Sequence, residues 1–286
     1  MRKYILGGAG VLLLTFSLFT LSWKSPVETG MIVRTASEDS LYNKYVNDLY
    51  DTAHLSTVGL SKAVFEKAIT GFYNLKISGK LSNNKSIITI ADMEQASTSK
   101  RLWIIDLDKR ALVLNTWVAH GNGSGSDKAT RFSNVNDSFQ SSLGFYVTGE
   151  VYSGKHGKSL RLDGMDAGYN DAAYDRGIVI HGAAYVCDKF VSQHQRLGHS
   201  WGCPAVPTKL SLPMINTIKE GTCLFIYYPD TRFLNTSYWM NKKVTTLPAG
   251  NIYEKAVLDE VKAKHVTIQY MHNGKTDSVV TIPATH

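Results

Sequence analysis

The chain has 286 residues, 43% of them hydrophobic and 19% charged, which is ample for a buried core and excludes both a disordered chain and a small scaffold that depends on disulfides. Its 31 Lys and Arg exceed its 24 Asp and Glu, for a formal net charge of +7 that favours anionic surroundings such as an acidic wall polymer or lipid headgroups. The basic residues are scattered, without a basic helix or aromatic-basic alternation, so no nucleic-acid partner is expected.

The N-terminus, MRKYILGGAGVLLLTFSLFTLSWKS, sets two basic residues before an uncharged stretch from Tyr4 to Trp23. Residues 1–23 therefore read as a secretory signal peptide or an uncleaved membrane anchor, with Thr20-x-Ser22 as a weak cleavage site and no cysteine near the end of the stretch to carry a lipid. The rest of the chain is expected to be exported, to the periplasm or cell envelope, either released or anchored in the inner membrane. In that oxidising setting three cysteines, an odd number, leave at least one without an intrachain partner.

Residues 35–80 predict a helical lead-in. Leu41, Tyr45, Val46 and Leu49 recur at helical spacing after a capping box of Thr35 and Glu38. A second helix puts Phe65, Ala68, Ile69 and Phe72 on one face, with Ser61 as N-cap and Gly71 as a weak interior point. Residues 81–230 shorten to strand-like runs, SIITIAD, RLWIIDL, ALVLNTWVA, LGFYVTGE, SLRL, GIVIHG and TCLFIYY, bounded by turn residues. Asp108-Lys109-Arg110 is short enough to close a hairpin. One helix interrupts the strands at SLPMINTIKEG, with Ser211 as N-cap, Pro213 in the first turn and Gly221 as the stop. Residues 231–286 form a C-terminal extension, either a helix with a last hairpin or a loosely attached tail.

The segment HSWGCPAV carries the chemistry. Pro204 biases Cys203 away from helical backbone, and Gly202 leaves room beside the thiol for a substrate. The amides of Gly202 and Cys203 are expected to be free to hold an oxyanion, whereas Pro204 has none to give. A thiol needs a base, and His181 closes the apolar run GIVIH, where a strand holds its ring; His199, His194 and His156 lie in polar loops. Two other readings stay open: His181, Cys187, His194, His199 and Cys203 supply enough ligands for zinc, and Cys187 with Cys203 form a structural disulfide. Cys223, inside TCLFIYY, reads as a buried inert thiol.

Together IVIHGAAYV and RLGHSWGCPAV resemble the catalytic domain of the YkuD-like L,D-transpeptidases, in the branch whose motif reads SWGCPAV. The likeness also takes in LVLNTWVAHGNGSG and FSNVNDSFQSSLGFYVTGEVYSGKHGKSLRLDG, and runs from roughly Leu60 to Tyr228. It implies a mostly β, sandwich-like catalytic domain, α+β overall once the lead-in is counted, that works on peptidoglycan stem peptides with no metal and no cofactor. By position it implies Cys203 as nucleophile, His181 as base, Gly202 as the oxyanion-loop glycine and Ser200 as the motif hydroxyl, with the Gly182 carbonyl orienting the imidazole. Trp201 stands where the wider family has histidine, and Pro204-Ala205 replace an apolar residue followed by Asn or Arg. Trp201, Arg196 and His156 are the expected substrate-binding residues. The implied reaction passes a thioester to an amine, giving a crosslink, or to water, as in an L,D-carboxypeptidase. The rival is a non-catalytic peptidoglycan-binding envelope module with its cysteine sealed in a disulfide.

Overall fold

A computed structural model describes residues 38–244 and the strand segments 266–272 and 275–282. The signal or anchor expected over residues 1–23, the Thr35 cap and the helix considered after Asn251 lie outside the described residues.

Two helices open the chain, α1 (Glu38–Thr52) and α2 (Lys62–Ile77). The expected apolar stripes are the buried ones: Tyr45, Val46 and Leu49 on α1, and Phe65, Ala68, Ile69 and Phe72 on α2. Ser61 stands at the N-cap of α2, but its hydroxyl makes no capping bond. Gly71 is an interior point for a packing reason. A Cβ there would lie 2.0 Å from the Phe145 ring, so the missing side chain lets α2 settle onto the sheet.

The sheet is built from β1 (Ile87–Asp92), β2 (Leu102–Asp106), β3 (Ala111–Thr116), β4 (Gly144–Gly154), β5 (Gly157–Gly164), β6 (Val179–Ala183), β7 (Ala205–Pro207) and β8 (Cys223–Tyr227). They run in the order β3-β2-β1-β8-β4-β5-β6-β7. The chain is thus mostly β with a helical lead-in. The hairpin expected at Asp108 to Arg110 joins antiparallel β2 and β3, with Arg110 at φ 51. Two pairings are parallel, β1 with β8 and β6 with β7, and both join strands far apart in sequence. β2 and β8 are buried throughout and β1 nearly so, which is why their sequences are continuous apolar runs rather than alternating ones. Helix α2 packs against β1 and β8.

Between β6 and β7 the chain forms α3 (Asp188–His194), an element the sequence reading lacked. A parallel pair needs such a crossover, because a tight turn cannot return the chain in the same direction. Helix α4 spans Thr208–Ile218 and packs on β5, β6 and β7. It starts three residues ahead of the expected cap. Pro207 is the N-cap, Ser211 sits inside the first turns and donates its hydroxyl to the Thr208 carbonyl at 2.9 Å, and Pro213 is interior. The helix ends before Gly221, whose φ of +78 turns the chain into β8.

From Asp230 to Val244 the chain packs on the domain. Asp230 caps α5 (Thr231–Thr236) by accepting the Phe233 amide at 2.7 Å, and Ser237 caps α6 (Tyr238–Asn241). The Asn74 side chain of α2 donates to the Trp239 and Lys242 carbonyls, both at 2.7 Å, and Phe233 is fully buried. The strands β9 (Val266–His272) and β10 (Lys275–Ile282) pair antiparallel with each other as a hairpin.

Candidate active site

The strand order places the two chemically important residues side by side. In β6, His181 is in register with Ser159 of β5 on one flank and Ala205 of β7 on the other, and Ala205 lies two residues beyond Cys203. Cys203 itself sits in non-helical backbone immediately before Pro204. His181 and Cys203 line one cleft of about 360 Å³, together with His156, Arg176, Tyr185 and Trp201.

The loop that carries Cys203 is held from several sides. Ser200 bonds through its backbone to the 120–122 segment, donating to the His120 carbonyl at 3.1 Å and accepting from the Asn122 amide at 2.9 Å. Its buried hydroxyl closes the loop on itself: it donates to the Cys203 carbonyl at 2.6 Å and accepts the Gly202 amide at 3.1 Å. Gly202 has a φ of +120, and a Cβ there would lie 2.8 Å from the Gln140 carbonyl, so both backbone angle and space demand glycine. The Ser141 hydroxyl donates to the Gly202 carbonyl at 3.1 Å. One expectation is corrected here. The Gly202 N–H donates to the Ser200 hydroxyl, so of the two amides expected to hold an oxyanion the Cys203 N–H is the one without an acceptor among the described residues.

His181 is buried, and its Nδ1 lies 3.1 Å from the Gly182 carbonyl. A carbonyl only accepts, so Nδ1 carries the hydrogen and the neutral ring presents the lone pair of Nε2. Burial lowers the His181 pKa, the Gly182 bond partly opposes that, and nearby His156 and Lys155 lower it further. The Cys203 pKa is raised, first by burial. The Val179 amide, which donates to Sγ at 3.4 Å, and the Arg176 and Lys155 charges pull it back down. The resting pair near neutral pH is therefore thiol and neutral imidazole. Gly182 has no room for a side chain: a Cβ there would lie 2.7 Å from Ser211 Oγ on α4, which fixes the backbone that orients the ring.

The family model described as the L,D-transpeptidase catalytic domain matches residues 56–227. The chain belongs to that family. No curated protein matches it. Among solved structures it is similar to an L,D-transpeptidase from Mycobacterium smegmatis, at 11% identity over 50% of this chain and a TM-score of 0.32. It spans 59% of that protein's chain. Similar too are L,D-transpeptidases from Stackebrandtia nassauensis, at 12% identity over 65% of this chain and 91% of the other with a TM-score of 0.31, and from Xylanimonas cellulosilytica, at 13% over 63% and 92% with a TM-score of 0.29.

Within this transpeptidase domain the other expected residues divide. Trp201, at 72% exposed, stands on the cleft rim with its ring edge-on to Phe139 (5.7 Å between centroids) and with Lys155 Nζ 4.8 Å from its centre. His156, from the tip of the β4–β5 hairpin, stacks on His181 at 4.3 Å and 24°. Arg196 is not a cleft residue. Its guanidinium donates to the Leu197 carbonyl at 2.7 Å and lies 3.4 Å from Nδ1 of His199, which does line the cleft. The cations that do line the cleft are Lys155 and Arg176, both missed by sequence reasoning. Arg176 donates to the Ser133 and Gln140 carbonyls at 2.6 and 2.8 Å and lies three residues ahead of Val179, the first residue of the strand that carries His181. Tyr185 also lines the cleft, and burial raises its pKa to about 12.

The alternative constellations come apart. Cys187, Cys203 and Cys223 are all unpaired, so no Cys187–Cys203 disulfide forms. Cys187 lines a separate cleft with Trp117 and Lys209, and His194 lies on α3, so neither joins His181, His199 and Cys203. Cys223 is fully buried in β8, and burial pushes its pKa far up, out of reach of any reaction.

Proposed function

We propose that the protein is an exported L,D-transpeptidase of the cell wall that uses Cys203 as nucleophile and His181 as base on peptidoglycan stem peptides. The observation that carries this reading is the shared cleft of an unpaired thiol and a buried imidazole whose tautomer leaves Nε2 free to take a proton. The Cys203 S–H proton passes to His181 Nε2 as sulfur attacks the carbonyl carbon of the L,D amide before the terminal D-residue. The carbonyl oxygen gains negative charge opposite the Cys203 N–H. His181 returns the proton to the leaving amine, the C–N bond breaks, and a thioester remains. An amine of a second stem peptide then attacks the thioester while His181 takes its proton, forming the crosslinking amide and restoring the thiol. Water in the amine's place gives the carboxypeptidase outcome.

The positive net charge suits an anionic polymer as substrate. Mass spectrometry of muropeptides incubated with the wild-type protein and with Cys203→Ala tests the assignment. Loss of the terminal D-residue and appearance of crosslinked products are expected only with the wild type. Identical product patterns from both proteins overturn the role of the cysteine.

A further inference from the structure

The rim of this cleft carries large aromatic rings that are exposed among the described residues. Trp201 is 72% exposed and the neighbouring Phe139 44% exposed, with their rings edge-on at 5.7 Å. Lys155 sits over the Trp201 ring at 4.8 Å. A second stack is joined to the same cleft: the Arg161 guanidinium lies between the cleft residue Tyr152, at 4.7 Å, and Tyr174, at 5.2 Å, itself 50% exposed. Large aromatic rings clustered in water mark a surface that a ligand covers.

The arrangement narrows the ligand's chemistry. Trp201 edge-on to Phe139 with Lys155 at its face, and Tyr152 and Tyr174 each with Arg161 at its face, offer short flat apolar patches beside donors of hydrogen bonds. A pyranose has the complement, with one face of C–H groups that packs on an aromatic plane and a rim of hydroxyls and carboxyl-bearing substituents for the cations. A lipid chain or an apolar helix needs a longer continuous groove. Distance agrees with a sugar. If Cys203 cleaves after the third residue of a stem peptide, the sugar that bears the stem lies three residues away, at most about 11 Å for an extended chain. Trp201 is two residues from Cys203, at most about 7.2 Å between Cα atoms, and lines the same cleft, so the two spans are compatible.

We propose that Trp201, supported by Phe139 and Lys155, is a sugar-binding platform that holds the glycan of a stem-bearing strand, so that the enzyme selects glycan-linked stems over free peptides. This rests on the stem-peptide reading above.

The test compares kcat/KM for a disaccharide-linked tetrapeptide with that for the free tetrapeptide, in the wild type, Trp201→Ala and Trp201→Phe. The wild type is expected to favour the disaccharide-linked substrate by about tenfold, the size of a single aromatic stacking contact. Trp201→Ala is expected to bring the ratio close to one, and Trp201→Phe to keep most of it. Trp201 is too exposed for these changes to threaten the fold. A wild-type ratio of one, or an unchanged ratio in Trp201→Ala, overturns the platform while leaving the cysteine chemistry standing. Absence of Cys203-dependent turnover on both substrates overturns the stem-peptide reading and the platform with it.

Discussion

Replacing Ser200 by alanine removes one hydroxyl and two hydrogen bonds from the nucleophile loop, the 2.6 Å bond to the Cys203 carbonyl and the 3.1 Å bond from the Gly202 amide. Each is worth about 1 kcal/mol net, and the buried site gives water little chance to replace them, so the loss comes to about 2 kcal/mol. For a domain of this size that lowers Tm by about 4–8 °C. The fold itself survives. Ser200 keeps both of its backbone bonds, and Ser141 still holds the Gly202 carbonyl at 3.1 Å. What loosens is Cys203, and a positional error of about 1 Å at a reacting atom costs on the order of 100-fold, so kcat/KM is expected to fall by about 10- to 100-fold. Thermal melts and the muropeptide assay on the same preparation read both quantities. A melt within 1 °C of wild type with undiminished kcat/KM refutes the clamp. A large loss of rate with an unchanged melt assigns the hydroxyl to substrate binding instead.

Titration of the catalytic pair gives a second expectation. Burial raises the Cys203 pKa, so at pH 7 less of it is thiolate than the roughly 3% of an ordinary cysteine, and iodoacetamide should label it more slowly than free cysteine and faster as pH rises. A labelling inflection below pH 7 would show a thiolate-imidazolium pair and contradict the neutral resting state. The His181 pKa is lowered, so the base stays unprotonated down through the ordinary histidine range, and the acid limb of kcat/KM should fall below about pH 6.5; a limb centred above that value sinks the assignment. On α2, Gly71→Ala gains about 1 kcal/mol of helix propensity but forces a methyl to within 2.0 Å of the Phe145 ring. That ring is fully buried and stacked on Phe225 at 4.2 Å, so overpacking of about 2–3 kcal/mol wins and the melt drops by several degrees, whereas a stabilised variant would mean that α2 and β4 do not touch there.

The parts of this site that were legible in the sequence are those fixed by local backbone chemistry. Gly202 and Pro204 state the shape of the loop at Cys203 without help from the rest of the chain, and the apolar run before His181 states a strand. Arg176 was not legible, because its place beside the thiol depends on β6 and on the 133–142 loop that its guanidinium ties down. Arg196 is close to the motif in sequence, but its guanidinium is spent on the Leu197 carbonyl and it does not line the cleft. The parallel pairings of β1 with β8 and of β6 with β7 carry no local signal, since a strand's own residues do not record which distant strand lies beside it. Ser61 and Ser211 look like caps in the sequence; Ser61 does stand at the N-cap but without a side-chain capping bond, and Ser211 bonds within its helix. A serine's preference for helix starts is worth about 1 kcal/mol, and the packing of α4 on the sheet outweighs it.

The pairing of β6 with β7 has one more consequence. The proposed base and nucleophile are placed by the register of His181 with Ala205, and α3 lies in the crossover between the two strands rather than in either of them. None of the α3 residues Asp188–His194 lines the cleft, whereas Tyr185 before it and His199, Ser200 and Trp201 after it do. Lengthening or trimming α3 itself is therefore expected to leave the cleft in place. A single residue inserted between Cys203 and Ala205 instead shifts the thiol against the strand that holds its base.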